Sequence, residues 1–156
     1  MKGQVLCRFP AARLVDLTHE ILAHWPAEAG FWLGRSFRYF PTGTVHVAVV
    51  DPGVGSARNI AVVEAAGHLF LAPDNGLLAG VLTRLEVAPV LRQLDLGILD
   101  TLGLGRPSAT FHGRDVFAPV AAQLAAGRWS PEALGPVVPA HGARSIDNCA
   151  ALARRS

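Results

Sequence analysis

Hydrophobic residues along this chain come in short runs, broken by proline, glycine and acidic residues. The clearest run, Val45 to Val50 (VHVAVV), is almost wholly apolar and rich in β-branched residues. It predicts a strand buried on both faces, as in a parallel sheet covered by helices. The strand stops at Asp51, where Pro52, Gly53 and Gly55 open a loop. An acid at that point lies at the carboxyl edge of a sheet, where open α/β folds bind their ligands.

Around this strand the pattern predicts alternating elements. Met1 to Pro10 carries no strand of its own, and Arg13–Leu17 (RLVDL) is a short apolar segment. It runs into DLTHEI, a strand-end cluster with Asp16, Thr18, His19 and Glu20. Pro26 to Phe40 reads as helix, with Pro26 suited to the first turn and Pro41-Thr42-Gly43 as its stop. Ile60–Glu64 and His68–Leu71 read as a strand pair joined near Gly67. Pro73-Asp74-Asn75-Gly76 is a turn, followed by a short helix from Leu77 to about Leu85 and a strand at Val90–Leu94. Ile98 to Ala109 reads as loop. Thr110-Phe111-His112-Gly113-Arg114-Asp115 then leads into an Ala-rich helix, Val116–Ala126, with Gly127 at its C-cap. The expected architecture is α/β, a mostly parallel central sheet flanked by helices. It occupies residues 1–140, and residues 141–156 form an irregular tail.

Composition narrows the class. A chain of 156 residues, 51% of them hydrophobic, suits one domain with a proper core. The net charge of +2 is small and its basic residues are scattered, which argues against a nucleic-acid surface. Cys7 and Cys149 lack metal-ligand spacing and fit a reduced, cytoplasmic setting. No apolar run has the length of a membrane span, and the N-terminus is not organised as a signal peptide.

Each polar cluster admits two readings. DPGVGSAR places a GxG after a strand, but without a third glycine and with Pro52 intruding it is a weak dinucleotide fingerprint. Its N–H groups suit a polar or anionic group, while Asp51 equally suits an acid capping its own turn. Arg58, seven residues on, either folds back onto Asp51 or is a solvated rim charge. His112, between Phe111 and Gly113, is either a catalytic group or a packing residue at a helix start. Nucleophile-elbow, P-loop and zinc spacings do not occur.

Taken together, DLTHEI, FPTGTVHVAVVDPGVGSAR, APDNGLLAGVL and ATFHGRDVFAPVAAQLAAG resemble, in order and spacing, the S-adenosylmethionine hydroxide adenosyltransferases. These enzymes are relatives of the fluorinases and chlorinases. The resemblance covers roughly Met1 to Gly135. It implies cleavage of S-adenosylmethionine by water to adenosine and methionine, without a cofactor or a metal. By motif position, the family's hydroxide-generating Asp, Arg and His fall on Asp51, Arg58 and His112. Substrate contacts are implied for Trp25, Asn75 and Thr110. For Trp25 a core or helix-start aromatic is an equally good reading. Asp51 stands where the halogenating relatives carry Tyr, which speaks against halide chemistry, since a carboxylate repels a halide.

The resemblance also implies a homotrimer, with each pocket between one subunit's N-domain and the next subunit's C-terminal β-barrel. Family members usually open with a strand and a TDFG-type motif, and Met1-Lys2-Gly3 resembles the residues just past that motif. Ser145 to Ser156 lacks the FGN-type pattern of the barrel. The expectation is therefore a chain holding the catalytic group with part of the substrate site. A start codon placed downstream, a gene fragment and a divergent short form all fit. The alternative function is a non-catalytic remnant that binds adenosine-like ligands or serves in assembly.

Overall fold

The structure, a computed structural model, describes residues 1–139 except 57, 102 and 106. The expected tail lies outside these residues. Helices α1 (Lys2–Arg8), α2 (Pro26–Ser36), α3 (Ala79–Leu82), α4 (Ile98–Thr101) and α5 (Ala118–Ala125) surround strands β1 (Val45–Val47), β2 (Ile60–Ala65), β3 (His68–Pro73) and β4 (Val90–Gln93). The strands form one sheet in the order β1-β3-β2-β4. Its pairings are mixed: β1 runs parallel to β3, whereas β2 is antiparallel to both β3 and β4. The expected strand pair is a hairpin, and a hairpin can only be antiparallel. Its turn residues Ala66 and Gly67 both have positive φ, the conformation that suits a tight two-residue connection.

Alternation along β2 and β3 divides the core into two layers. Val63, Ala65, Phe70 and Ala72 face α2 and α3, together with Phe37, Leu33 and Leu77. Val62, Ile60 and Leu71 face the opposite side, against Val116, Phe117, Val120 and Leu124 of α5 and the turn before it. A two-residue period that is apolar on both faces is what a sheet between helices requires.

Helix α2 begins with Pro26 at its first turn, and Glu28 accepts a hydrogen bond from the Leu22 N–H (3.0 Å). Its buried face is Ala29, Gly30, Leu33 and Gly34. Side chains on Gly30 and Gly34 would overlap the carbonyls of Leu77 and Gly80, so α2 crosses α3 backbone to backbone. Beyond α2 the chain tightens into a 3-10 turn, Phe37–Tyr39, and so ends where expected.

Several expectations are changed in detail: the sheet is mixed rather than mostly parallel, and Ile98–Thr101, expected within a loop, forms α4. The expected strand Val45–Val50 pairs only over Val45–Val47; Ala48 still donates to the Leu71 carbonyl (3.0 Å) before the chain leaves the sheet. Among the described strands β1 lies at the sheet edge, and Val45 and Val47 are half-buried rather than enclosed. The RLVDL–DLTHEI segment forms no strand: residues 13–20 are exposed and find no ladder among the described residues. Asp16 is held instead by an ion pair to Lys2, with His19 Nε2 3.1 Å from its other carboxylate oxygen. The N-terminus forms α1, which packs on α5, and Arg128 hydrogen-bonds the Arg8 carbonyl (2.9 Å).

Candidate active site

Beyond β1 the chain rises off the carboxyl end of the sheet into the DPGVGSAR loop. The Asp51 carboxylate accepts a hydrogen bond from the Gly53 N–H (3.0 Å), and the Arg58 guanidinium pairs with the same oxygen, Oδ1. Asp51 therefore caps its own turn, and Arg58 folds back onto it rather than standing as a solvated rim charge. The Asp51 side chain is 10% exposed and that of Arg58 29%, so the pair sits at the rim with the acid beneath. A side chain on Gly53 would overlap the Arg58 guanidinium. Glycine there is what allows the arginine to fold back across the loop.

The PDNG turn braces this loop at both ends. Asn75 Nδ2 donates to the Val50 carbonyl (2.8 Å), one residue before Asp51, and Asn75 Oδ1 accepts from the Leu77 N–H (3.2 Å). The Asp74 N–H donates to the Asn59 carbonyl (2.9 Å), one residue after Arg58. Asn75 is thus engaged on both sides of its amide, and any substrate contact would be made in addition to this bracing. The signal in the sequence was the Asn-Gly pair, whose side chain commonly bonds backbone two residues on.

His112 stands on a neighbouring loop. It is half-buried and immediately precedes a π-helical turn, Gly113–Phe117, which runs into α5. Such wide turns within helices often accompany functional sites. The two loops touch at Gly55, where a Cβ would lie 2.6 Å from the Ala109 carbonyl oxygen. With φ at +82°, Gly55 also adopts a backbone conformation that other residues rarely take. The structure therefore joins Asp51 to Arg58 directly and brings the His112 loop alongside, with no hydrogen bond from His112 to either among the described residues. Thr110 is exposed on the same loop, and Trp25 is 52% exposed at the start of α2.

Two features were not foreseen from the sequence. Asp115 ties the His112 loop together by accepting from the Ser108 N–H. His46 and His68, on adjacent strands, form a buried pair with ring nitrogens 3.2 Å apart, in a nest of Phe37, Phe40 and Phe70. Burial, and then the neighbouring His68, push His46 down to about 4; burial also lowers His68. Among the described residues no group of three His, Cys, Asp or Glu side chains gathers as a metal site.

The acid–arginine pair and the histidine loop thus lie at the carboxyl edge of the sheet, where open α/β folds bind small molecules. The family model describing the SAM hydroxide adenosyltransferase N-terminal domain matches residues 1–135. The chain belongs to that family. It is 47% identical over 135 residues to the (R)-S-adenosyl-L-methionine hydrolase of Salinispora arenicola, covering 86% of this chain and 50% of the relative. Against the (R)-S-adenosyl-L-methionine hydrolase of Thermus thermophilus it is 44% identical over 144 residues, with 89% and 55% covered. A fluorinase of an Actinoplanes species is more distant, 27% identical over 150 residues, with 81% of this chain and 49% of the fluorinase covered. An uncharacterized conserved protein from Thermotoga maritima shares the fold with a TM-score of 0.79 and 36% identity, over 89% of this chain and 52% of the other. The chain thus spans about half the length of the curated relatives it matches.

Proposed function

We propose that this chain carries the hydroxide-generating half of an S-adenosyl-L-methionine hydrolase, which releases adenosine and methionine. The observation that carries this reading is the Asp51–Arg58 pair at the carboxyl end of β1, in a chain whose relatives are named (R)-S-adenosyl-L-methionine hydrolases. The (R) sulfonium is accordingly the proposed substrate. A water oxygen attacks C5′ of the ribose from the side opposite sulfur. The new C–O bond forms as the C5′–S bond breaks, and the electron pair leaves on sulfur as the neutral thioether of methionine. The water proton passes to a base, for which His112 and the Asp51 carboxylate are the candidates.

Each group has a physical task. Both hydrogen bonds that Asp51 accepts among the described residues go to Oδ1, which leaves Oδ2 to hold the water. The Arg58 cation stabilises the hydroxide character that the water gains as its proton is drawn off. Fixing water in line with the C5′–S bond removes an entropic part of the barrier. Trp25, Asn75 and Thr110 are proposed substrate contacts, and the reaction as written uses no cofactor. A cytoplasmic homotrimer, in which a neighbouring subunit completes each pocket, is part of the same proposal. Among the described residues no helix is long and apolar enough to cross a membrane.

The second reading, a non-catalytic domain, draws on the exposure of Thr110 and Trp25. Adenosine release from the purified 156-residue chain, beside Asp51→Ala, separates the two. Release that the substitution abolishes supports hydrolysis. A folded chain that releases none favours the non-catalytic domain.

A further inference from the structure

The segment carrying His112 is closed by a side chain outside the Asp–Arg–His group. Asp115 Oδ2 accepts a hydrogen bond from the Ser108 N–H (3.1 Å), which links the two ends of the loop 108–115. Inside it, Ser108 Oγ accepts from the Phe111 N–H (3.2 Å), the residue before His112. Arg114 grips both carboxylate oxygens of Asp115, with Nε at 2.5 Å and Nη2 at 3.0 Å, and its guanidinium lies over the Phe111 ring (4.8 Å to the centroid). The loop ends against the Asp51 loop at Ala109 and Gly55. Asp115 itself begins the packed part of the molecule: Val116 and Phe117, the next two residues, are fully buried. The core thus holds one end of the clamp, and the clamp fixes the exposed end.

We propose that Asp115 is a positioning residue for His112: through Ser108 it holds residues 109–112 against the Asp51 loop. This rests on the reading of His112 as part of the hydroxide-generating group. An in-line displacement tolerates little error, and a misplacement near 1 Å costs about 100-fold in rate. The Asp115 carboxylate suits the task. Arg114, and then Ser108, hold it well below the usual carboxylate range, so it stays an acceptor throughout the pH range of a cell.

The test pairs Asp115→Ala with Asp115→Asn in the full chain. Asparagine keeps an oxygen to accept from Ser108, whereas alanine keeps none. For adenosine release, Asp115→Ala is expected to lower kcat about 10- to 100-fold with KM within about threefold, and Asp115→Asn to restore most of it. A second readout does not depend on turnover: the imidazole NMR signals of the six histidines, with His112 assigned by His112→Gln. Asp115→Ala is expected to shift the His112 signal, to leave the buried His46 and His68 signals in place, and to be reversed by asparagine. An unmoved His112 signal overturns the proposal even if the wild-type chain turns over. Movement of every histidine signal also overturns it, since that reports a general structural role. If the wild-type chain releases no adenosine, the hydrolase reading fails separately and the NMR signals still decide whether Asp115 positions His112.

Discussion

Arg58 reaches Asp51 through space that only a glycine at position 53 leaves open. The guanidinium occupies the volume of the missing Gly53 side chain, while the Gly53 N–H and Arg58 share one oxygen of Asp51. The loop and the ion pair are therefore a single device.

Gly53→Ala tests that device without removing a charged group. Gly53 does not have a left-handed φ, so alanine is tolerated by the backbone, and the atom it meets is the movable end of Arg58. The expected outcome is a folded protein, with thermal midpoint within a few degrees of wild type, whose adenosine release falls about as far as that of Arg58→Ala. For loss of one fixed charge at a reacting oxygen that fall is about 100- to 1000-fold. A Gly53→Ala variant as active as wild type would show that Arg58 need not lie where the structure puts it.

Asn75 is expected to matter for stability as well as for turnover. Asn75→Ala removes the donor to Val50 and the acceptor for Leu77, and the half-buried groups left behind cost about 1–3 kcal/mol. Urea unfolding at neutral pH measures it. A change under about 0.3 kcal/mol, well below that cost, would mean that water replaces both bonds.

Gly34→Ala addresses the crossing of α2 and α3. The new methyl would overlap the Gly80 carbonyl, which is backbone and cannot turn aside. Overpacking of this kind costs about 1–3 kcal/mol or more. Gly3→Ala, in open space on α1, is the control: helix propensity predicts no loss there and a gain of up to about 1 kcal/mol. Equal stability of the two variants would exclude the close helix crossing.

The buried histidine pair predicts acid sensitivity. His46 in the folded chain lies at about 4, below the ordinary 6.5 of the unfolded chain. Protons therefore bind the unfolded state first as pH falls. The stabilisation from a neutral His46 is complete above about 6.5 and is lost progressively down to about 4. From pH 7 to pH 5 the loss is about 2 kcal/mol for His46 alone, and His68, shifted in the same direction, adds to it. Unfolding free energies at the two pH values check this, with His46→Leu/His68→Leu expected to flatten the profile. A wild-type profile already flat would mean that the pair is hydrated.

Much of this protein was set by local chemistry and could be read without coordinates. The runs at Ile60–Glu64 and His68–Leu71 are legible as a strand pair, because two apolar segments of strand length broken near a glycine leave little choice. The helix starting at Pro26 and the helix closed by Gly127 follow from proline and glycine at the ends where each fits. The order of the motifs carried the family, and Asp51, four residues beyond β1, marked the site proposed above.

Tertiary structure decided the rest. RLVDL has the composition of a strand, but a strand needs a neighbour to take its hydrogen bonds, and among the described residues none does so. The bracing by Asn75, the Gly30–Gly34 face of α2, and the clamp from Asp115 to Ser108 all join groups whose pairing depends on where the chain returns. So does the histidine pair, built from positions 46 and 68 on adjacent strands. A one-dimensional pattern records which residues are apolar and how they are spaced. Which Oδ1, carbonyl or ring nitrogen meets which partner is set by the packing of two core layers, and only the folded chain holds that information.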